Sequence, residues 1–163
     1  MDEIKFGNRP DPEVLEALVG KSPSLVSALS NAAAYLFGCL EKVNWAGFYI
    51  LRGEQLVLGP FQGKPACDLI PLSSGLCGRA AREKRVVRVA DVHACPEHIA
   101  CDESSRSEIV LPIRAGCGDA LWGLLDIDSP VTDRFTQEDE ELLVKAAEVM
   151  ERAVNSLGPL LLG

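Results

Sequence analysis

The prediction of the fold class starts from the stretch Ser107–Asp128, SEIVLPIRAGCGDALWGLLDID. Two runs within it, Ser107–Arg114 and Ala120–Asp128, are rich in Ile, Leu and Val, and the short segment Ala115–Asp119 (AGCGD) separates them. Apolar runs of this length are typical of strands, and a short glycine-rich connection is typical of a turn between two strands. The stretch therefore predicts a β-hairpin.

Segments on both sides of this hairpin predict helices and a second hairpin. Apolar residues at helical spacing predict helices, with Ser22 and Pro23 expected as the N-cap and first residue of the second one. A capping-box pattern at Thr136 predicts the start of the last helix, and Gly158 its end. The helices are predicted over residues 11–18, 22–42, 76–83 and 136–157, and further strands over 44–51, 55–58 and 86–90.

This order of elements favours an α+β fold. Helices at both ends of the chain, around two hairpins, predict a central antiparallel sheet with the N- and C-terminal helices packed on one face. The length of 163 residues fits a single domain over residues 1–163. Within it we expect residues 1–21 to form an N-terminal extension with a short helix, and residues 22–157 to form the core.

Composition narrows the classes of function. The formal net charge of −8 disfavours binding to nucleic acid and to anionic membrane surfaces. The N-terminus lacks the apolar core of a signal peptide, and no apolar run is long enough to span a bilayer, so we expect a cytoplasmic protein. The 6 cysteines are too few for a disulfide scaffold, and cytoplasmic thiols are kept reduced. A working cysteine is therefore expected to bind metal or to take part in catalysis.

Both histidines and two of the cysteines fall in one segment, His93–Cys101 (HACPEHIAC). His93, Cys95, His98 and Cys101 offer the four ligands that tetrahedral zinc requires. However, the segment lacks the paired cysteine or histidine spacing of structural zinc sites. A loop that carries ordinary thiols is the simpler interpretation, and a zinc site remains the alternative.

Acidic residues accumulate on the strands that follow. Glu108 begins one strand, while Asp126 and Asp128 alternate along the next and so share a face, which we expect to include Trp122 and Leu124. Asp126 lies between two apolar residues, and a carboxylate in such a strand requires a polar partner. This face is the candidate binding surface.

Two aromatic residues share a face of the strand at residues 44–51. Trp45 and Tyr49 are separated by Gly47, which removes bulk between them. Core packing is the ordinary explanation of such a pair. The functional alternative is an aromatic slot for a methyl or thioether group beside the acids, which favours thiol chemistry on a small cationic ligand over metal binding.

Several motifs resemble one family of enzymes. The chain from about residue 22 to about residue 145 closely resembles the free methionine-(R)-sulfoxide reductases, which are single-domain enzymes of the GAF fold. The motifs that carry this resemblance are NWAGFYIL (44–51), LVLGPFQGKPAC (56–67), GLCG (75–78), DVH (91–93), HIACDESSRSEIVLP (98–112) and GLLDIDSP (123–130).

The resemblance implies reduction of free methionine-R-sulfoxide to methionine by cysteine chemistry, without a metal or organic cofactor. By position in the motifs, Cys101 is the expected nucleophile and Cys67 the expected resolving thiol, with Cys77 in reserve for either role. Nucleophilic attack leaves a sulfenic acid, which a second thiol converts to a disulfide. A thioredoxin-like reductant is then the expected partner, and the resemblance also suggests a homodimer.

The same resemblance implies roles for the candidate binding surface. The carboxylates of Glu108, Asp126 and Asp128 would bind the ammonium group of a free amino acid or assist protonation of the sulfoxide oxygen. Trp45 and Tyr49 would hold the methylthio end.

Some residues leave alternatives open. Asp102 and Glu103 directly follow Cys101 and disfavour its thiolate. Cys95 is an additional thiol that could compete with Cys67 as the resolving residue, whereas Cys39 is expected in the core and Cys117 in a turn. A GAF sensory module that binds a small ligand without catalysis and a zinc-binding thiol protein are the alternative functions.

Overall fold

The computed structural model describes residues 7–97 and 103–158. The α-helices in these residues are α1 (Pro12–Val19), α2 (Leu25–Cys39), α3 (Gly75–Glu83) and α4 (Gln137–Leu157). The strands are β1 (Trp45–Arg52), β2 (Gln55–Gly63), β3 (Leu69–Pro71), β4 (Val87–Val89), β5 (Ser107–Ala115) and β6 (Ala120–Ser129). A short 3-10 helix (Val92–Ala94) follows β4.

The strands form one sheet with the order β3-β2-β1-β6-β5-β4, in which neighbouring strands are antiparallel. The predicted hairpins are confirmed as β1–β2 and β5–β6. Their first and last strands, β1 and β6, pair with each other at the centre of the sheet. This pairing brings the aromatic residues of β1 beside the acids of β6.

Helices cover both faces of the sheet. On one face, α1, α2 and α4 bury a large apolar cluster that includes Leu29, Phe48, Leu125 and Met150. On the other face, α3 covers a smaller cluster that includes Leu76, Val110 and Leu124. The prediction that the terminal helices share one face is confirmed, and α3 adds a third layer. None of the helices in the described residues is both long enough and apolar enough to cross a membrane.

One helix begins at a different residue from the one predicted. Asp11 caps α1, and Thr136 forms the predicted capping box with Asp139 at the start of α4. The N-cap of α2 is Ser24, whose side chain accepts a hydrogen bond from the Ser27 amide, so the prediction of Ser22 was wrong. Ser24 precedes the first apolar residue of the buried helical stripe, Leu25, which is 2% exposed.

The second strand is longer than the sequence pattern predicted. Gly59, Pro60 and Gly63 interrupt the apolar alternation and are typical turn residues, yet β2 continues through them and pairs with β1 as far as the Trp45–Gly63 pair. A register shift between Gly47 and Tyr49 accommodates this irregular partner. The short strand β3, which pairs with β2, was not predicted.

Candidate active site

The predicted acidic residues come together on the face of the sheet that α3 covers. Residues directly opposite each other in antiparallel strands share a face. Glu108 on β5 lies opposite Asp128 on β6, which in turn lies opposite Trp45 on β1. In the next row, Asp126 lies opposite Gly47. The alternation of Asp126 and Asp128 therefore places the acids beside the aromatic residues.

One residue that was predicted on this face lies on the other. Leu124 packs with the smaller cluster under α3, as expected, but Trp122 packs against the larger cluster under α1, α2 and α4. The register between β5 and β6 shifts between Ile113 and Arg114, which pair with Gly123 and Leu121. This irregularity leaves Trp122 out of the ladder and reverses the alternation of the strand on its far side.

The thiol of Cys77 reaches the acids from α3. Its Sγ atom lies 3.5 Å from Oδ2 of Asp126 and 4.0 Å from Oε1 of Glu108, close enough for weak thiol hydrogen bonds. Cys77, Glu108 and Asp126 are 4%, 5% and 6% exposed. Asp126 thus has the polar partner that a carboxylate in an apolar strand requires.

Burial shifts the ionisation of this cluster. Burial, and then the charges of Asp126 and Asp128, hold the pKa of the Glu108 carboxyl well above its usual value. Burial also raises the pKa of Asp126, to about 6, although hydrogen bonds from Glu108 and Cys77 oppose this shift. Both pKa shifts are explained if Glu108 is protonated and donates its hydrogen bond to an ionised Asp126.

The same environment keeps Cys77 protonated. Burial, followed by the charges of Asp126 and Glu108, holds the pKa of the Cys77 thiol well above its usual value. Reactive cysteines lie instead in electropositive, partly exposed surroundings. Cys77 therefore has the properties of a hydrogen-bond donor rather than of a thiolate nucleophile.

One carboxylate oxygen of the cluster lacks a donor. Oδ1 of Asp126 is buried and accepts no hydrogen bond within the described part of the chain. The backbone amide of Ile127 interacts with the Asp126 carboxylate only weakly, as the smallest of the influences that lower its pKa, so it offsets little of the hydration that Oδ1 loses. Asp128, in contrast, is only partly buried, so it marks the solvent side of the cluster.

The aromatic residues form a stack beside the acids. The ring centroids of Trp45 and Tyr49 lie 5.9 Å apart, and each residue is 2% exposed. Phe61 on β2 stacks on the other side of Trp45, at a centroid distance of 5.3 Å. Sequence analysis did not single out Phe61, although its segment, LVLGPFQGKPAC, was one of the family motifs.

Two hydrogen bonds connect this stack to the segment after β2. The Trp45 indole Nε1 donates to the Lys64 carbonyl at 3.1 Å, and the Tyr49 hydroxyl donates to the Cys67 carbonyl at 3.1 Å. The position of Cys67 is therefore tied to the aromatic stack.

Gly47 allows the stack to pack. A Cβ atom at this position would lie 2.7 Å from the Trp45 ring and 2.9 Å from the Phe61 Cα atom. The space that this glycine leaves is thus occupied by its aromatic neighbours.

The cysteines differ in state and environment. Cys67 is disulfide-bonded, whereas Cys39, Cys77, Cys95 and Cys117 are free thiols. Cys39 is buried in the core and Cys117 lies exposed in the β5–β6 turn, as predicted. The expected nucleophile, Cys101, lies outside the described residues, as do His98 and Asp102.

The additional thiol Cys95 lies near the cluster. It is partly buried, packs against the apolar residues under α3 and contributes to the raised pKa of Glu108. His93, in the short 3-10 helix before it, is exposed. Within residues 7–97 and 103–158, the close group of donors suited to a metal is Cys77, Glu108 and Asp126, which includes neither His93 nor Cys95.

Comparison with known proteins defines the class of this fold and site. The family model of the GAF domain matches residues 24–154. A free methionine-R-sulfoxide reductase of Escherichia coli is 46% identical over 85% of this chain and 82% of its own length. Protein YtsP of Bacillus subtilis is 50% identical over 86% of both chains.

A solved structure extends this similarity to three dimensions. The free methionine-R-sulfoxide reductase of Neisseria meningitidis, in complex with its substrate, superposes with a TM-score of 0.86 at 35% identity, covering 94% of this chain and 95% of that chain. The chain therefore belongs to the GAF-domain family and, within it, to the free methionine-R-sulfoxide reductases.

Proposed function

We propose that this protein reduces free L-methionine-(R)-S-oxide to L-methionine through a cysteine sulfenic acid and an intramolecular disulfide. The observation that carries this proposal is the disulfide-bonded state of Cys67, whose carbonyl accepts a hydrogen bond from Tyr49, beside the buried acids. An oxidised cysteine tied to an aromatic residue that lies within electrostatic reach of these carboxylates suits thiol redox chemistry on a small amino acid. The names of the relatives support the same substrate.

The acids would recognise the free amino acid. Its ammonium group carries a positive charge, and Glu108, Asp126 and Asp128 supply carboxyl oxygens on one face of the sheet. Asp128 is partly buried and lies at the solvent side, where it would meet the incoming ammonium first. Charge-assisted hydrogen bonds to such groups are about twice as strong as neutral ones. The aromatic pair Trp45 and Tyr49 would hold the methylthio end by apolar contact.

Cys101 would be the nucleophile. Its thiolate attacks the sulfoxide sulfur and forms a sulfur–sulfur bond, and the sulfoxide oxygen takes up a proton. The resulting hydroxyl then passes to the Cys101 sulfur as its bond to the substrate sulfur and the sulfur–sulfur bond break, so that methionine leaves and Cys101 carries a sulfenic acid. The substrate sulfur gains two electrons, and the Cys101 sulfur loses the same two. Glu108 would supply the proton, since burial and its acidic neighbours raise its pKa well above the usual value and so favour the protonated form.

Cys67 would resolve the sulfenic acid. Its thiol attacks the sulfur of the Cys101 sulfenic acid, which forms the disulfide and releases water. The disulfide-bonded state of Cys67 supports this role. Cys77, which was the alternative resolving residue, is a free thiol, and this disfavours it for the role. A thioredoxin-like dithiol would then reduce the disulfide and become oxidised itself.

The substrate assay that tests this proposal compares three sulfoxides. With a thioredoxin recycling system, purified protein should reduce the R epimer of free methionine sulfoxide and leave the S epimer nearly unchanged. N-acetylmethionine-R-sulfoxide should also be a poor substrate, because it carries no ammonium group for the acids. The measurement is methionine or N-acetylmethionine formed per unit time.

A variant of one acid tests the binding role separately from the thiol chemistry. Asp128→Asn should raise KM for the free amino acid more than it lowers kcat, because a binding contact is lost. Equal turnover of the free and N-acetylated R-sulfoxides would refute the ammonium-binding role of the acids. Absence of turnover with any of the three sulfoxides, in protein with its thiols reduced, would refute the proposed function.

A further inference from the structure

We infer that Cys77, Glu108 and Asp126 form a binding site for one thiophilic divalent cation, and that zinc is the preferred ion. The three donor atoms all lie within 4.8 Å of one another and are contributed by α3, β5 and β6. This inference rests on contacts among described residues and does not require the proposed reductase activity.

The distances within the cluster suit tetrahedral coordination. With a zinc–sulfur bond of about 2.3 Å and a zinc–oxygen bond of about 2.0 Å, a tetrahedral angle separates sulfur from oxygen by about 3.5 Å. The Cys77 Sγ atom lies 3.5 Å from Oδ2 of Asp126 and 4.0 Å from Oε1 of Glu108. The first distance already matches this value, and the second exceeds it by 0.5 Å (4.0 against 3.5 Å).

A second observation supports a cation at the same position. Oδ1 of Asp126 is buried without a hydrogen-bond partner in the described residues, and the residue is 6% exposed. A cation at the cluster would compensate the lost hydration of this oxygen, either by binding it directly or by drawing the Asp126 carboxylate into a new position.

The donor set selects the kind of cation. Two carboxylates alone would suit magnesium or calcium, but a thiolate favours zinc or cadmium. Three protein ligands leave a fourth position for water, the pattern of zinc sites that remain open. On binding, the Cys77 thiol and the Glu108 carboxyl each give a proton to solvent as the metal–sulfur and metal–oxygen bonds form.

The predicted consequence is inhibition. A cation on Cys77, Glu108 and Asp126 would occupy the carboxylates that the proposed function assigns to the substrate. Zinc would then act as a reversible inhibitor and not as a cofactor. This consequence, unlike the binding itself, depends on the proposed function.

Zinc binding is tested on the disulfide form, in which Cys67 cannot serve as a ligand. Metal-free protein is titrated with zinc in competition with a chromophoric indicator. Wild-type protein and Cys95→Ser should each bind one zinc per chain, whereas Cys77→Ser and Asp126→Asn should lose at least about tenfold in affinity. Excess magnesium should not displace the zinc.

Cadmium provides a direct readout on the wild-type protein, which removes any dependence on the folding of a variant. One equivalent of cadmium should produce a thiolate-to-cadmium charge-transfer band in the ultraviolet. Absence of this band, retention of zinc binding by Cys77→Ser, or its loss in Cys95→Ser alone would overturn the site. Displacement of zinc by magnesium would also overturn it, because it would indicate a site without the thiolate.

The inhibition arm keeps the two proposals apart. Zinc should block methionine formation in single turnover, and a chelator should restore it. A metal-free protein that binds zinc at Cys77 but reduces no sulfoxide would refute the proposed function and leave the cation site standing. An active enzyme that binds no zinc would do the reverse.

Discussion

The Sγ atom of Cys77 lies 3.5 Å from Oδ2 of Asp126, and both side chains are buried under α3. The thiol thus faces a carboxylate and not a cation, and its pKa is raised accordingly. This contact separates Cys77 chemically from the other thiols of the chain.

The first prediction is that Cys77 resists alkylation in the folded protein. Because alkylation requires a thiolate, a buried thiol with a raised pKa should react at least about tenfold more slowly than the exposed Cys117. Asp126→Asn should increase the rate at Cys77, since it removes the charge that contributes most to the shift after burial. Iodoacetamide labelling followed by mass spectrometry measures each site, and equal rates at Cys77 and Cys117 would contradict the prediction.

The second prediction concerns stability and pH. Burial raises the pKa of Asp126 from 3.8 to about 6, so between these values the folded state binds more protons than the unfolded state. The free energy of unfolding should therefore fall as the pH rises through this interval. Asp126→Asn should show a smaller fall than wild-type protein, because it removes the contribution of Asp126 and keeps that of Glu108, whose pKa burial also raises.

Urea unfolding across this pH range, with a chelator present, measures the difference between wild-type protein and Asp126→Asn. Asp119→Asn is the matched control. Its carboxylate is exposed, and its hydrogen bond from Arg114 lowers its pKa, so its contribution to stability is lost as the pH falls, the opposite sign. Parallel pH profiles for wild-type protein and Asp126→Asn would contradict the assignment.

The third prediction concerns the packing of Gly47. Gly47→Ala would place a methyl group 2.7 Å from the Trp45 ring and 2.9 Å from the Phe61 Cα atom, which the backbone of β2 cannot easily avoid. We expect a loss of about 1–3 kcal/mol in the free energy of unfolding. Urea denaturation, monitored by tryptophan fluorescence, measures this loss.

Gly7→Ala is the control for this substitution. A Cβ atom at Gly7 would meet its nearest neighbour at 3.7 Å, an ordinary contact, so its stability should stay within about 0.5 kcal/mol of wild type. Equal stability of Gly47→Ala and Gly7→Ala would contradict the prediction, because it would show that the aromatic stack accommodates the added methyl group without a loss in the free energy of unfolding.

Local alternation predicted much of the candidate site. Asp126 and Asp128 alternate along one strand, and the period of two places them on one face regardless of the partner strands. Glu108 joins them because the register shift between Ile113 and Arg114 brings it opposite Asp128. The sequence pattern therefore predicted the Asp126–Asp128 pair correctly, whereas the position of Glu108 opposite Asp128 also depends on that irregularity.

Features that depend on the partner strand or on α3 could not be predicted from the local sequence pattern. Trp122 lies on the opposite face because the register shifts near Ile113. Neither Trp122 nor Ile113 is a residue type that predicts such an irregularity. Phe61 was missed because glycine and proline around it resemble a turn. The contact of Cys77 with Asp126 depends on how α3 packs on the sheet, which no periodicity encodes.

The last prediction concerns the order of the thiols. If Cys101 is the nucleophile, Cys101→Ser should abolish even a single turnover. Cys67→Ser should release about one methionine per site and then stop as a sulfenic acid, because the chemical step precedes resolution. Cys95→Ser should retain repeated turnover, since Cys95 is a free thiol while Cys67 is disulfide-bonded.

Quenched single-turnover measurements of methionine, with a sulfenic-acid trap and mass mapping of the disulfide, distinguish these outcomes. The expected disulfide joins Cys67 to Cys101. Formation of one methionine by Cys101→Ser but none by Cys77→Ser would instead make Cys77 the nucleophile. That result would require the Cys77 thiol to leave Asp126 and ionise when substrate binds, against the raised pKa that burial and the neighbouring carboxylates impose.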